Sequence, residues 1–235
     1  MRKFLVLLSI AIVIISCQEE SKKETMTVSG NIKGLKKGRL YLQHIADTSL
    51  TTIDSLDISG DGNFLFKTEL ESPEIFYLYL NKKDNNDVND RIPFFGEPGN
   101  ITINTSWNTF DLNAKIEGSA SNKKWEEYKK TMSKFNLRNL ELSQTATNVE
   151  RVTDTLQLDS IVKLSEKNVL RGYLYALNFA LSNGDSYVAP YIALNEVADA
   201  NKLYLDSIAK SMTPEVAESK YGKALKNYLS ELKTE

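Results

Sequence analysis

The hydrophobic pattern of this chain changes period once, near Gly118, and that change limits what the chain can fold into. From Met26 to about Gly118 apolar residues alternate in short runs separated by turn residues: "TMTVSGNI", "GRLYLQHI", "TTIDSLDI", "GNFLFKTEL", "EIFYLYL", "RIPFFGE", "NITINTS" and "FDLNAKIEG". Such runs, rich in β-branched and aromatic residues, predict eight strands with short connections. From Ser119 onward the spacing becomes three and four. Trp125, Tyr128, Met132 and Phe135 form one stripe, which predicts an amphipathic helix capped by Ser119 or Ser121. The expected fold is α+β. An antiparallel β-sandwich or barrel-like domain spans residues 26–118, and an all-helical region spans 119–235.

Several details follow from the same patterns. In "EIFYLYL", Phe76, Leu78 and Leu80 lie on one face and Ile75, Tyr77 and Tyr79 on the other, so this strand should be covered on both sides. "DISGDGNF" predicts a tight hairpin at Asp61-Gly62. Asp57, Ser59, Asp61 and Gly62 also fit the start of a calcium-loop template, but the twelfth position is Thr68 where a glutamate is required. "GEPGN" is a turn between strands. Residues 147–155, "TNVERVTDT", are a polar break. A helix from Leu158 to Leu181 should turn Leu158, Ile161, Val162, Val169, Tyr173, Leu177 and Leu181 inward and stop near Gly184. Further helices are expected at 187–197 and 200–211, after Thr213-Pro214, and over "YGKALKNYLSELK".

The N-terminus says where the protein resides. Met1-Arg2-Lys3 precedes a run that is apolar from Phe4 to Ile15 except for Ser9. A membrane-spanning helix needs about 20 apolar residues, so this shorter run predicts a signal peptide. "Ile14-Ile15-Ser16-Cys17" resembles the lipobox of bacterial lipoproteins. The resemblance implies cleavage between Ser16 and Cys17, lipidation of Cys17, and a tether over residues 17–25. Two or more acyl chains give stable membrane anchoring, and the expected site is the cell envelope, at the outer membrane. The acidic residues after Cys17 also loosely resemble the surface-export signal of Bacteroidota lipoproteins. Cys17 is the only cysteine, so its lipidation leaves no thiol for disulfides, thiolate catalysis or metal binding.

Removing residues 1–16 takes away Arg2 and Lys3, leaving 219 residues and moving the formal charge from −2 to −4. No basic stripe with interleaved aromatics is present, which argues against nucleic acid. With one histidine, His44, neither a zinc site nor any other metal or cofactor is expected. His44 itself reads as an ordinary strand residue. Glu97, Asp54 and Asp57 are carboxylates without a sequence partner, and catalysis is not expected from them.

The segments "VSGNIKGLKKGRLYL", "DSLDISGDGNFLF", "SPEIFYLYL", "FFGEPGNITI" and "IEGSASNKKWEEY" resemble, in order and spacing from Val28 to about Tyr128, a particular family. It is the domain of unknown function found at the N-terminus of many Bacteroidota lipoproteins, usually ahead of a thioredoxin-like oxidoreductase domain. "SYVAPYIALNEV" through "SKYGKALKNYLSEL" resembles the linker that follows. The family's redox chemistry needs a Cys-x-x-Cys, and none occurs here. The functional expectation is therefore a lipid-anchored, non-catalytic binding or interaction module. Its alternative is an accessory or degenerate relative that docks a separate thioredoxin-like oxidoreductase. Candidate binding aromatics are Phe76, Tyr77, Tyr79, Phe94 and Phe95, or a groove between the two halves. Four Asp-Ser/Thr-aliphatic triplets resemble the Bacteroidota O-glycosylation motif and make Ser55, Thr155, Ser160 and Ser207 candidate acceptors.

Overall fold

The computed structural model describes residues 24–46, 48–82, 90–151 and 155–232. The expected signal peptide, with Ser16 and Cys17, and most of the expected tether lie outside them. Eight strands come first: β1 (Glu24–Lys33), β2 (Lys37–Ala46), β3 (Ser49–Ser59), β4 (Asn63–Leu70), β5 (Glu74–Asn81), β6 (Arg91–Gly96), β7 (Gly99–Ser106) and β8 (Lys115–Glu117). Six helices follow: α1 (Ala120–Arg151), α2 (Thr155–Ser182), α3 (Val188–Asn195), α4 (Lys202–Ser211), α5 (Pro214–Glu218) and α6 (Lys220–Glu231). The α+β class and the switch from strands to helices are as the pattern predicts.

The strands form two four-stranded sheets, one ordered β4-β1-β7-β8 and the other β3-β2-β5-β6. Alternation turns Met26, Val28, Ile32, Phe64, Phe66, Ile101 and Ile103 of the first toward Leu40, Leu42, Phe76, Leu78, Leu80 and Phe94 of the second. All are buried in one core, so the domain is a sandwich. It is not wholly antiparallel: β1 and β7 run parallel, with Val28 opposite Ile101. They are joined through the whole second sheet rather than by a hairpin, which leaves their relative direction free.

Asp61-Gly62 is not a hairpin. β3 pairs with β2 and β4 pairs with β1, so this turn carries the chain from one sheet to the other. The glycine is still required. Its φ is +77°, and a Cβ would lie 2.3 Å from the Ile32 carbonyl oxygen. Pro93 sits in β6, an edge strand, where a missing N–H is tolerated.

The helices build a second core against the outer face of the β5–β6 end of the second sheet. Ile75 and Phe95 are buried there with Trp125, Tyr128, Leu177, Ile192, Leu205 and Leu225. β5 is thus covered on both faces over its first half, at Ile75 and Tyr77. Capping is local: Asn201, Thr213 and Ser219 accept from the backbone N–H groups of Leu203, Val216 and Gly222. α2 ends at Ser182. Gly184 serves close approach rather than a left-handed turn, because a Cβ there would lie 2.1 Å from the Ser211 carbonyl oxygen.

Two expectations need correction. The 147–155 segment is largely helical, since α1 runs to Arg151 and α2 begins at Thr155. On α2, Ile161 and Leu177 are buried, whereas Val162, Val169 and Leu181 are exposed. α2 carries more apolar positions than α1 on one side and α4 on another can cover.

The helical core titrates at its tyrosines. Tyr191 and Tyr221 stack edge-on, centroids 5.1 Å apart. Burial pushes the Tyr191 phenol up from 10 to about 12, and pushes Tyr221 in the same direction. A folded-state pKa raised above the unfolded one gives stability that is complete below pH 10 and lost as pH rises toward 12. Circular dichroism and tyrosinate absorbance followed together against pH should therefore show these rings ionising as the helices are lost. Full ionisation with helicity intact would contradict the burial.

Candidate functional site

Two polar residues singled out in the sequence, Glu97 and His44, take part in joining the two halves. β6 is an edge strand, and the start of α1 satisfies its free backbone. Asn122 Oδ1 accepts from the Phe95 N–H at 3.0 Å, and Ser119 Oγ donates to the Phe95 carbonyl at 2.8 Å. Ser119 Oγ also accepts from the Asn122 N–H at 2.8 Å, so Ser119 is the cap of α1. Glu97, in the "GEPGN" turn, accepts from the N–H groups of Ala120 and Ser121. A carboxylate at a helix N-terminus is stabilised there by orphan donors and the helix dipole.

A second joint lies beside the first, at the start of β5, where Glu74 and Ile75 pair with Gly96 and Phe95. Glu74, buried, places Oε1 3.0 Å from His44 Nδ1 and pairs through Oε2 with Lys220 Nζ. Lys220 Nζ also donates to the Ile45 carbonyl at 2.7 Å, and the Lys220 N–H donates to Ser72 Oγ at 2.8 Å. The Ile75 N–H donates to Tyr221 Oη at 3.2 Å. His44 stacks on Phe76 at 5.8 Å. His44 is thus more than an ordinary strand residue: it belongs to a Glu–His–Lys cluster bridging sandwich and α6. Sequence reading missed Glu74, Lys220 and Asn122, because their partners are fixed by strand register and helix docking. The available signal was Glu74 itself, a charged residue beginning a strand that is apolar on both faces.

The candidate aromatics separate by face. Phe76 and Phe94 are buried in the sandwich and Phe95 in the helical core. They are packing residues, which corrects their reading as candidate binding aromatics. Tyr77 is half-buried against the helices. Tyr79 differs, because the helices stop short of it. Across the outer face of the second sheet, Arg91, Tyr79, Tyr41 and Ser55 stand in one row, with Arg39 and Asp57 in the next. Tyr41 and Tyr79 stack with centroids 5.6 Å apart, and the Arg91 guanidinium lies 4.9 Å above the Tyr79 ring. Arg39 forms a two-point pair with Asp57 at 2.8 and 2.6 Å, which holds its guanidinium pKa above the ordinary value.

Beside this row opens a cleft of about 610 Å³, lined by Lys37, Arg39, Tyr41, Asp57, Asn81 and Lys82. Its size suits a ligand of several rings or residues. Tyrosine offers flat apolar area with a polar tip at low entropic cost, which suits such a surface.

The calcium-loop residues are not gathered into a cage. Asp57 meets Arg39, and Asp61 accepts from Asn63. Among the described residues no group of three or more His, Cys, Asp or Glu could hold a metal ion. Ser55, Thr155, Ser160 and Ser207 are all exposed. Ser160 and Ser207 are not helix caps, since each donates to the carbonyl four residues before it, of Leu156 and Leu203.

Residues 26–125 match the family model "Domain of unknown function (DUF4369)". The matched segment contains almost the whole sandwich and the first turns of α1, ending at Trp125 in the helical core. It therefore includes Glu97, Ser119 and Asn122, and also Tyr41 and Tyr79. Lys220 and Tyr221, the partners of Glu74 and Ile75, lie outside it. No curated protein and no solved structure matches the chain.

Proposed function

We propose that this protein is a lipid-anchored module of the cell envelope that binds a polyhydroxylated ligand, such as a glycan chain, without transforming it. The observation that carries this reading is the uncovered half of the second sheet. There Tyr41, stacked on Tyr79 next to it, and the Arg39, Asp57 and Asn81 side chains border a cleft of about 610 Å³. Sugar rings would lay their apolar faces on the tyrosines while hydroxyls meet the charged and amide groups. The membrane attachment is supported by the lipobox-like "IISC" ending at Cys17. The two joints, at Phe95 and at Glu74, support a body whose halves hold the open face in a fixed shape.

Binding of envelope polysaccharide to the full chain should fall about tenfold or more in the Tyr41→Ala/Tyr79→Ala double variant, on the scale of two interface tyrosines. Circular dichroism should remain unchanged. Undiminished binding by the double variant would exclude this face. Intact-mass measurement of the protein from its native host reads the anchor separately. It should show acyl mass on a chain beginning at Cys17, and it reports any hexose at Ser55, Thr155, Ser160 or Ser207.

A further inference from the structure

α2 has an outward face that is exposed along most of its length, and only at its C-terminal end do Leu174 and Leu181 border a pocket shared with Tyr204 and Ile208 of α4. At about 100° per residue, Ile161, Gly172 and Phe179 point one way. On that side Gly172 faces Phe135 of α1. The sector of about 120° that begins diametrically across from this side and turns away from buried Ala176, Ala180 and Leu177 holds Leu156, Leu164, Leu170, Leu174 and Leu181, all exposed, with Leu156 at 83% and Leu170 at 56%. The same sector holds Lys163, Lys167 and Arg171. Lys163 also meets Asp159 at 2.7 Å. The two acidic residues of α2, Asp159 and Glu166, flank one edge of that sector, about 20° and 40° beyond it.

Five exposed leucines interleaved with three basic residues are unusual on a face left to water, where large apolar patches are rare. The combination is the one expected where a helix lies along a bilayer, with leucines in the acyl boundary and long basic side chains reaching the headgroups. Among the described residues no helix is long and apolar enough to cross a membrane, so α2 would lie on the surface. From Leu156 to Leu181 the face would extend roughly 38 Å along the helix axis.

We infer that the outer face of α2 docks on an anionic lipid surface, so that the α1–α2 hairpin lies along the bilayer. The lipid-facing charge is positive, and this selects anionic headgroups over neutral ones. The inference rests on the proposed membrane attachment but adds a contact separate from Cys17. It also fixes orientation, because a body held at both the tether and α2 cannot turn freely about the anchor.

The test uses the full lipidated chain in phosphatidylcholine vesicles with or without phosphatidylglycerol, each also containing brominated lipid. Tryptophan is introduced at Leu170 (L170W) or, as a control, at Ser55 (S55W). Quenching of L170W several-fold above S55W is expected in the anionic vesicles alone. Lys167→Gln/Arg171→Gln should lower the ratio of docked to undocked α2 about thirtyfold, from roughly fivefold per basic residue near an anionic surface. No quenching of L170W in anionic vesicles overturns the inference, as does equal quenching in neutral ones. Protection of Leu170 by a protein partner, without quenching by lipid, overturns it too. Flotation reads the anchor independently. A chain that floats without quenching keeps the anchor and loses the α2 contact, and one that quenches without the acyl mass does the reverse.

Discussion

Phe95→Ala should lower stability by about 3–5 kcal/mol, the range for removing a buried phenylalanine from a core that cannot collapse around the loss. Phe95 is fully buried, yet its neighbours belong to three separate segments. Its ring meets Tyr191 and Tyr221 edge-on, each with centroids 6.1 Å apart. Its N–H and carbonyl are held by Asn122 and Ser119. The cavity would open between sandwich and helices, so the damage should be regional. Phe94→Ala provides the comparison, because Phe94 has the same size and burial but points into the sandwich. Denaturant titration should show similar losses for the two. Hydrogen exchange should separate them: Phe95→Ala should release α3 and α6 first, and Phe94→Ala should release β5 and β6. A loss below about 1 kcal/mol, or unchanged exchange in the helices, would mean that the two halves are not held together at Phe95.

That pair also shows how much of the fold was legible in the sequence. Adjacent residues of a strand point to opposite faces. Two consecutive buried phenylalanines therefore imply a core on each side of β6, as the alternation in β5 had already implied for its own strand. Reading Phe94 and Phe95 as candidate binding aromatics overlooked this constraint. The boundary at Gly118 was readable because period two and period three-to-four cannot describe one element. Leu181, Val162 and Val169 misled for the opposite reason. An apolar count marks a helix but does not say which of several apolar rows meets a neighbour. The joints were out of reach for a different reason. Glu74 and Lys220 are separated by 146 residues, and their pairing depends on where α6 lands. Tyr41 and Tyr79 were each visible as strand residues. Their stacking required the β2–β5 register, which places them directly opposite one another.

Gly30→Ala should damage the fold on a similar scale, although it adds one methyl group. Gly30 lies in β1, hydrogen-bonded between β4 and β7, with Phe64 opposite on one side and Ile103 on the other. A Cβ at this position would lie 1.8 Å from the Ile103 carbonyl oxygen. No rotamer change relieves that contact, because the obstructing atom is backbone. Ile103 is also pinned from its far side, paired with Ile116 of β8. One of the two ladders must therefore open. The cost should reach or exceed the upper end of the roughly 1–3 kcal/mol that overpacking exacts when side chains can still adjust. The expected result is a lower denaturation midpoint with an unchanged slope, while Ser29→Ala, the next residue along, shifts the midpoint little. A Gly30→Ala protein within about 1 kcal/mol of the parent would show that β1 and β7 do not approach so closely. The consequence extends to the proposed binding face. Tyr41 and Tyr79 stand on strands whose inner residues, Leu40, Leu42, Leu78 and Leu80, pack against β1 and β7 in the shared core. Opening β1 should therefore lower ligand binding and stability together, whereas Tyr79→Ala should lower binding alone. That difference separates a residue that forms the ligand surface from one that holds the surface in place.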